Sequence, residues 1–124
     1  MVSTMERIKS SNLAKPLERR RNPRYTFTAE VEVSDPTSGI SVRARTADLS
    51  WGGCYIDTLS PLPAETVVKL RLTKWERSLE AQAKVVYSAT GMGMGLMFVS
   101  IDPTHRWTME SWITELGREE RREN

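Results

Sequence analysis

Two short segments of this 124-residue chain carry the residue types that could do chemistry. The first is Glu18-Arg19-Arg20-Arg21-Asn22-Pro23-Arg24. Pro23 cannot sit inside a helix and pushes Asn22 away from helical dihedrals, so the segment is extended or turned. Arg20 and Arg24 are four residues apart and then point to one side, up to ~13 Å apart by chain reach. That spacing suits two points on one polyanionic ligand. The planar guanidinium fork binds phosphate bidentately, binds the O6/N7 edge of guanine, and stacks on a base. Read alone, such a run is more often a solvated charge cluster in a mobile tail.

The second segment is Asp48-Leu49-Ser50-Trp51-Gly52-Gly53. Asp48 and Ser50 are two apart and face the same way at a strand end. A carboxylate and a hydroxyl there can accept from and donate to one polar ligand edge. Gly52 and Gly53 permit positive φ and close approach of backbone to a ligand. The bland alternative is an ordinary turn, with Asp48 and Ser50 bonding their own backbone. Trp51 offers a stacking face, although packing on the barrel or the arginine segment is the commoner use of such a residue.

Composition narrows the function classes. One histidine, His105, and one cysteine, Cys54, leave no triad, disulfide or multi-thiolate metal site, so no catalytic or metal-ligating residues are assigned. No nucleophile–base pair can be assembled, which argues against an enzyme. No apolar run approaches the roughly 18 residues that cross a bilayer, and the N-terminus lacks a signal-peptide hydrophobic region. These features point to a cytoplasmic binding module without a membrane span. The net charge is +2, yet residues 1–30 alone carry seven basic and three acidic residues. Residues 31–124 are net acidic. The positive charge is therefore a local anion site at one end.

The elements that must position these segments are strands. Tyr25, Phe27, Ala29, Val31 and Val33 alternate with polar residues, as do Ile40, Val42 and Ala44 after a turn at Ser34–Gly39. Further strands are predicted at Cys54–Ile56, at Glu65–Thr73 and along the alternation Leu79, Ala81, Ala83, Val85, Tyr87. The last is Met92–Val99, where Gly93 and Gly95 leave one face bare. Met92, Met94 and Met97 read as adaptable core, Cys54 as a buried small residue. Arg43 and Arg45 read as a solvated strand face, and His105 as exposed. Asp102 and Pro103 open a helix whose Met109, Trp112, Ile113 and Leu116 share one face, and Gly117 reads as its stop. Trp107 lies off that face and reads as a partner-facing aromatic. The pattern predicts a small, mainly β antiparallel barrel or sandwich with one helix.

Both segments, in this order and each before a strand pattern, resemble the signature of the PilZ domain, the bacterial receptor module for the second messenger cyclic di-GMP. Arg20-Arg21-Asn22-Pro23-Arg24 matches its Arg-x-x-x-Arg motif. Asp48-Leu49-Ser50-Trp51-Gly52-Gly53 matches Asp/Asn-x-Ser-x-x-Gly, and Gly93–Phe98 and the closing helix also resemble the family. The resemblance implies a six-stranded antiparallel β-barrel with a C-terminal helix over residues 18–116, between a flexible tail at 1–17 and a charged tail at 117–124. It implies cyclic di-GMP as ligand, with no cofactor. Arg20 and Arg24 would hold phosphates and the guanine Hoogsteen edge. Asp48 and Ser50 would bond guanine, and Gly52 and Gly53 would allow close approach, with Arg21 and Trp51 as secondary contacts. Arg19 would accompany binding of an intercalated ligand pair. The expected mechanism is ordering of the arginine loop by ligand, which alters contacts with a downstream protein partner. Two other readings stand beside it: an interaction module that ignores nucleotide, and a barrel for single-stranded nucleic acid, against which the net acidic barrel argues.

Overall fold

The computed structural model describes residues 22–123. Seven strands precede one helix: β1 (Tyr25–Thr26), β2 (Glu30–Ser34), β3 (Ser41–Leu49), β4 (Gly53–Asp57), β5 (Val67–Lys74), β6 (Arg77–Ala89) and β7 (Gly93–Ile101). A 3-10 turn at Pro103–His105 leads into α1 (Arg106–Glu123). Every pairing is antiparallel. The strands run in the order β3-β2-β5-β6-β7-β4, and β4 pairs back onto β3, so six strands close a barrel with β1 as a short addition on β3. This is the expected six-stranded barrel with a C-terminal helix.

Side-chain alternation builds the interior. Val31 and Val33 of β2, Val68, Leu70 and Leu72 of β5, and Leu79, Ala81, Ala83 and Val85 of β6 all turn inward. α1 adds Met109, Trp112, Ile113 and Leu116 to the same core, and Trp112 lies 5.2 Å from Phe27, centroid to centroid. Asp102 caps the helix entry as expected, accepting from the Thr104 amide at 3.0 Å.

Several local features differ from the sequence reading. The strand expected from Tyr25 to Val33 breaks at Phe27–Ala29. Both of those residues are buried, and the break is bridged by the buried Thr46 hydroxyl, which accepts from Ala29 N at 2.9 Å and donates to Phe27 O at 2.6 Å. The fifth strand starts at Val67 rather than Glu65, because Glu65 has a left-handed φ of 78° that a strand cannot hold. A register slip between Val85 and Tyr87 carries Tyr87 to the outside, where it is 54% exposed. Of the three methionines read as core, only Met94 is buried, while Met92 and Met97 face solvent. The helix does not stop at Gly117 but continues to Glu123, so the stretch read as a charged tail is helical that far. Gly117 is a buried position beside the Tyr25 ring; a Cβ there would lie 3.5 Å from the Tyr25 hydroxyl.

The β5–β6 hairpin turns on Trp75 and Glu76, both left-handed, at φ 54° and 64°. Positive φ in residues this large is costly and needs compensation. Lys74 supplies it: its ammonium lies 5.1 Å from the Phe27 centroid and 5.0 Å from that of Trp75, and donates to Thr28 O. The hairpin tip is thereby tied to the broken first strand.

Thr46→Val keeps the shape and removes both bonds across that break. It is expected to lower the unfolding free energy by about 2 kcal/mol in a urea titration, since two buried backbone groups lose their partner. A change below about 0.5 kcal/mol would show that the hydroxyl does not hold the break.

Candidate ligand-binding site

Asp48 occupies the end of β3, just past an irregularity in the pairing with β4 between Thr46 and Asp48. Its Oδ1 accepts from Tyr55 N at 2.8 Å. Its Oδ2 lies 3.6 Å from Arg24 Nη1, and the two side chains are 23% and 59% exposed. One carboxylate oxygen is thus tied to the barrel, and the other faces an arginine that solvent can reach. This exposed pair contributes little stability. It is, however, a ready exchange site: a ligand anion can take the guanidinium while a ligand N–H takes the carboxylate.

Ser50 is buried, and its hydroxyl is committed to its own turn. Oγ accepts from Gly52 N at 3.1 Å and Gly53 N at 3.2 Å, and it donates to Gly53 O at 3.3 Å. The self-bonding turn, the bland alternative for this segment, is therefore what Ser50 makes here. Neither Gly52 nor Gly53 has a positive φ. Gly53 is needed for a steric reason instead: a Cβ would run into Leu96 O and sit 3.2 Å from Met97 Cα, across the β4–β7 pairing. Gly52 faces the arginine segment, since a Cβ on it would lie 3.7 Å from Asn22 Nδ2. Trp51 is 43% exposed in the same loop. Among the described residues the fold thus brings Asn22, Arg24, Asp48 and Gly52 to one rim of the barrel. Arg19, Arg20 and Arg21 lie outside the described residues.

Register adds groups that local spacing did not reveal. Asp48 pairs with Tyr55, and Tyr55 pairs with Gly95. The Tyr55 ring lies 6.4 Å from that of Tyr87. The only advance signal was Gly93 and Gly95, whose bare face these tyrosines cover. Burial pushes the Tyr55 hydroxyl pKa up, with smaller contributions from Tyr87, Asp57 and Asp48.

Other polar clusters are structurally occupied. Glu80, Asp102 and His105 bring side-chain ligand atoms within 4.8 Å of one another. His105 is half-buried rather than exposed, and its Nδ1 accepts from Glu80 N at 3.1 Å. That bond occupies the lone pair that would otherwise face a metal, and Asp102 is engaged in the helix cap. A groove of about 540 Å³ crosses β2, β3 and β5 between Arg43, Arg45, Arg71, Glu30 and Glu32. Arg43 lies 3.6 Å from Glu32, and Arg71 lies 3.7 Å from Glu80, the cross-strand pairing of a solvated sheet face.

Cys54, next to this rim, is buried as expected, and burial, with Asp48 nearby, raises its thiol pKa to about 12. The folded thiol thus holds its proton above pH 9, where the unfolded thiol releases it. Stability from this group is complete below pH 9 and falls as pH rises toward 12, by about 1.4 kcal/mol per pH unit. Urea midpoints at about pH 8 and about pH 10, on either side of the unfolded thiol's pKa, are expected to differ more for the wild type than for Cys54→Ala. Equal differences would show a thiol that titrates normally in the fold.

Comparison with known proteins agrees with this architecture. The PilZ domain family profile matches residues 18–115. Three solved structures share the fold. The PilZ domain of CeSA from a cellulose-synthesizing bacterium is 23% identical, with TM-score 0.60, covering 77% of this chain and 98% of that one. The Bacillus subtilis inhibitor of motility (MotI/DgrA) is 18% identical with TM-score 0.62, over 86% of this chain and 53% of that one. The PilZ domain of YcgR from Escherichia coli, a structure with c-di-GMP, is 18% identical with TM-score 0.59, over 85% of this chain and 96% of that one. A search of curated protein sequences finds no match. With the barrel closed in this order, Arg24 of the first motif meeting Asp48 of the second on its rim, and the family profile spanning most of the length, the chain belongs to the PilZ domain family.

Proposed function

We propose that this chain is a receptor for cyclic di-GMP that signals by binding, without catalysis. The observation that carries the reading is the meeting of Arg24 with Asp48, and of Asn22 with Gly52, on one barrel rim. A ligand with two phosphates and two guanines needs cations, fork donors, a carboxylate for guanine N–H groups and little steric bulk. The two motifs offer these types together. Arg20 and Arg24 take the phosphates and the guanine Hoogsteen edge, and the outward oxygen of Asp48 accepts from guanine. Ser50 and Gly53 serve by holding the turn and the β4–β7 contact that fix Asp48. Arg21 and Trp51 serve as secondary contacts, Trp51 from an exposed position in the Ser50–Gly53 loop. Arg19, by the family resemblance, accompanies binding of a second, intercalated ligand molecule.

Occupancy breaks the Arg24–Asp48 pair and repositions the segment that leads into β1. β1 carries Tyr25, whose ring lies against Gly117 of α1, so the helix is the element through which a downstream protein partner reads the ligand. The working domain is residues 18–116 with the helical continuation of α1, and the site of action is the cytoplasm. Among the described residues no helix is long and apolar enough to cross a membrane.

Calorimetric titration of cyclic di-GMP into the wild type, Arg20→Ala and Asp48→Ala tests the reading. Saturable binding by the wild type is expected, weakened about tenfold or more in each variant, the cost of a charge-assisted hydrogen bond. The fitted stoichiometry decides between one molecule and a pair. A folded wild type that takes up no ligand would leave a barrel that serves only as a protein-interaction module. Steeply salt-dependent binding of mixed-sequence oligonucleotides would favour the nucleic-acid reading instead.

A further inference from the structure

Two tryptophans stand on the surface where the β5–β6 hairpin meets α1. Trp75, at the hairpin tip, is 57% exposed, and Trp107, in the first turn of α1, is 63% exposed. Folding alone favours neither placement. Trp75 and Glu76 fill the two left-handed positions of a two-residue hairpin loop, which asparagine and glycine take with little strain. An indole there adds an aromatic face left in water to the cost of the backbone. Trp107 lies outside the stripe of Met109, Trp112, Ile113 and Leu116 that seats the helix.

Each ring carries a fixed cation. The Lys74 ammonium lies 5.0 Å from the Trp75 centroid and donates to Thr28 O. The Arg77 guanidinium lies 4.6 Å from the Trp107 centroid, and its Nη1 donates to Ser111 Oγ at 2.8 Å. Lys74 and Arg77 are cross-strand partners, so their side chains share one face and bring both indoles into one patch. Trp75 also rests edge-on against Phe27. These groups are in place before a partner arrives, so docking costs them little side-chain entropy.

We propose that Trp75 and Trp107, with Lys74 and Arg77, form the docking surface for the downstream protein, and that the partner brings an acidic segment with an apolar side chain. This rests on the receptor reading above, which requires such a partner. Tryptophan and arginine are the residue types that dominate binding energy at protein interfaces. The two indoles take the apolar side chain. The face of the Arg77 guanidinium packs on Trp107 and Nη1 bonds Ser111; its fork has further N–H groups in the same plane, the geometry that takes a carboxylate. In Lys74–Arg77 and Arg106–Ser111 the cations Lys74, Arg77 and Arg106 outnumber the acids Glu76 and Glu110, which selects an acidic segment over a basic one. The surface is also joined to the ligand rim by packing, since Phe27 follows β1, into which the arginine segment leads.

Selection of short random peptides on the full chain tests this, with the indole N–H signals of Trp75 and Trp107 followed by NMR. Enriched peptides are expected to place Asp or Glu beside Trp, Phe or Leu. Trp107→Ser and Arg77→Gln are each expected to weaken the enriched peptide about tenfold or more, as is replacement of its acids by lysine. Both indole signals are expected to move when the wild type is saturated. A basic consensus, or none, would overturn the proposal. So would unmoved indole signals, or a folded Trp107→Ser that binds within about twofold of the wild type. A dimer of the wild type that Trp107→Ser dissociates would give the surface to a second copy of this chain. Phosphatidylglycerol vesicles that bind the wild type and not Trp107→Ser would give it to a membrane. Either result would overturn the acidic partner. The selection contains no cyclic di-GMP, so failure of the docking surface and failure of the receptor reading are seen separately.

Discussion

The barrel closes through β4, a strand of five residues that must pair along both edges. Most of the site follows from that constraint. On one edge β7 comes so near that only glycine fits at position 53. On the other, the β3 ladder is irregular before Asp48, and the Asp48 carboxylate takes the Tyr55 N–H. One side chain therefore stitches the closing seam and presents its second oxygen to the surface. A binding group anchored this way loses little freedom on meeting a ligand, because its rotamer is already set by the fold.

The arginine segment enters the same structure through aromatic packing. β1 lies on β3 beside Asp48, and Tyr25 reaches back to α1 at Gly117. Phe27 then drops into the core against Trp112 and meets Trp75 edge-on at 6.3 Å. The segment's neighbours are thus packed against both the helix and the β5–β6 hairpin tip. Both ends of this path are exposed: Trp75 on the hairpin, and Trp107 on the helix with Arg77 over its ring. A small barrel has few ways to report a surface event, and a helix packed on the strand that follows the arginine segment is a direct one.

Much of this was legible in the sequence where one face of a strand is buried and the other wet. Val31 and Val33, Val68 to Leu72, and Leu79 to Val85 alternate cleanly and lie where the alternation puts them. The helix entry at Asp102-Pro103 was equally plain. The misreadings share a cause. Tyr87 and Met97 continue an apolar pattern but turn outward, and Phe27 and Ala29 are buried as the pattern puts them while the strand breaks between β1 and β2; bulges and cross-strand partners far away in the chain decide all three. Glycine was read as a helix terminator at 117, where its use is to leave room for Tyr25. In the site, the motif types and their order were visible, and so was the option that Ser50 bonds its own turn. The tyrosine row was not, because it is a property of register among four strands rather than of any local spacing.

If the β3–β4 seam and the arginine segment form one nucleotide site, ligand must perturb both together. An amide-resolved NMR titration of the isotope-labelled protein with cyclic di-GMP reads this residue by residue. Saturable shifts are expected at Asn22–Thr26, at Asp48–Tyr55 and across Gly93–Met97, with the Arg43, Arg45 and Arg71 face unmoved. Shifts confined to the Arg43, Arg45 and Arg71 groove, or a spectrum unchanged at saturating ligand, would contradict a shared site.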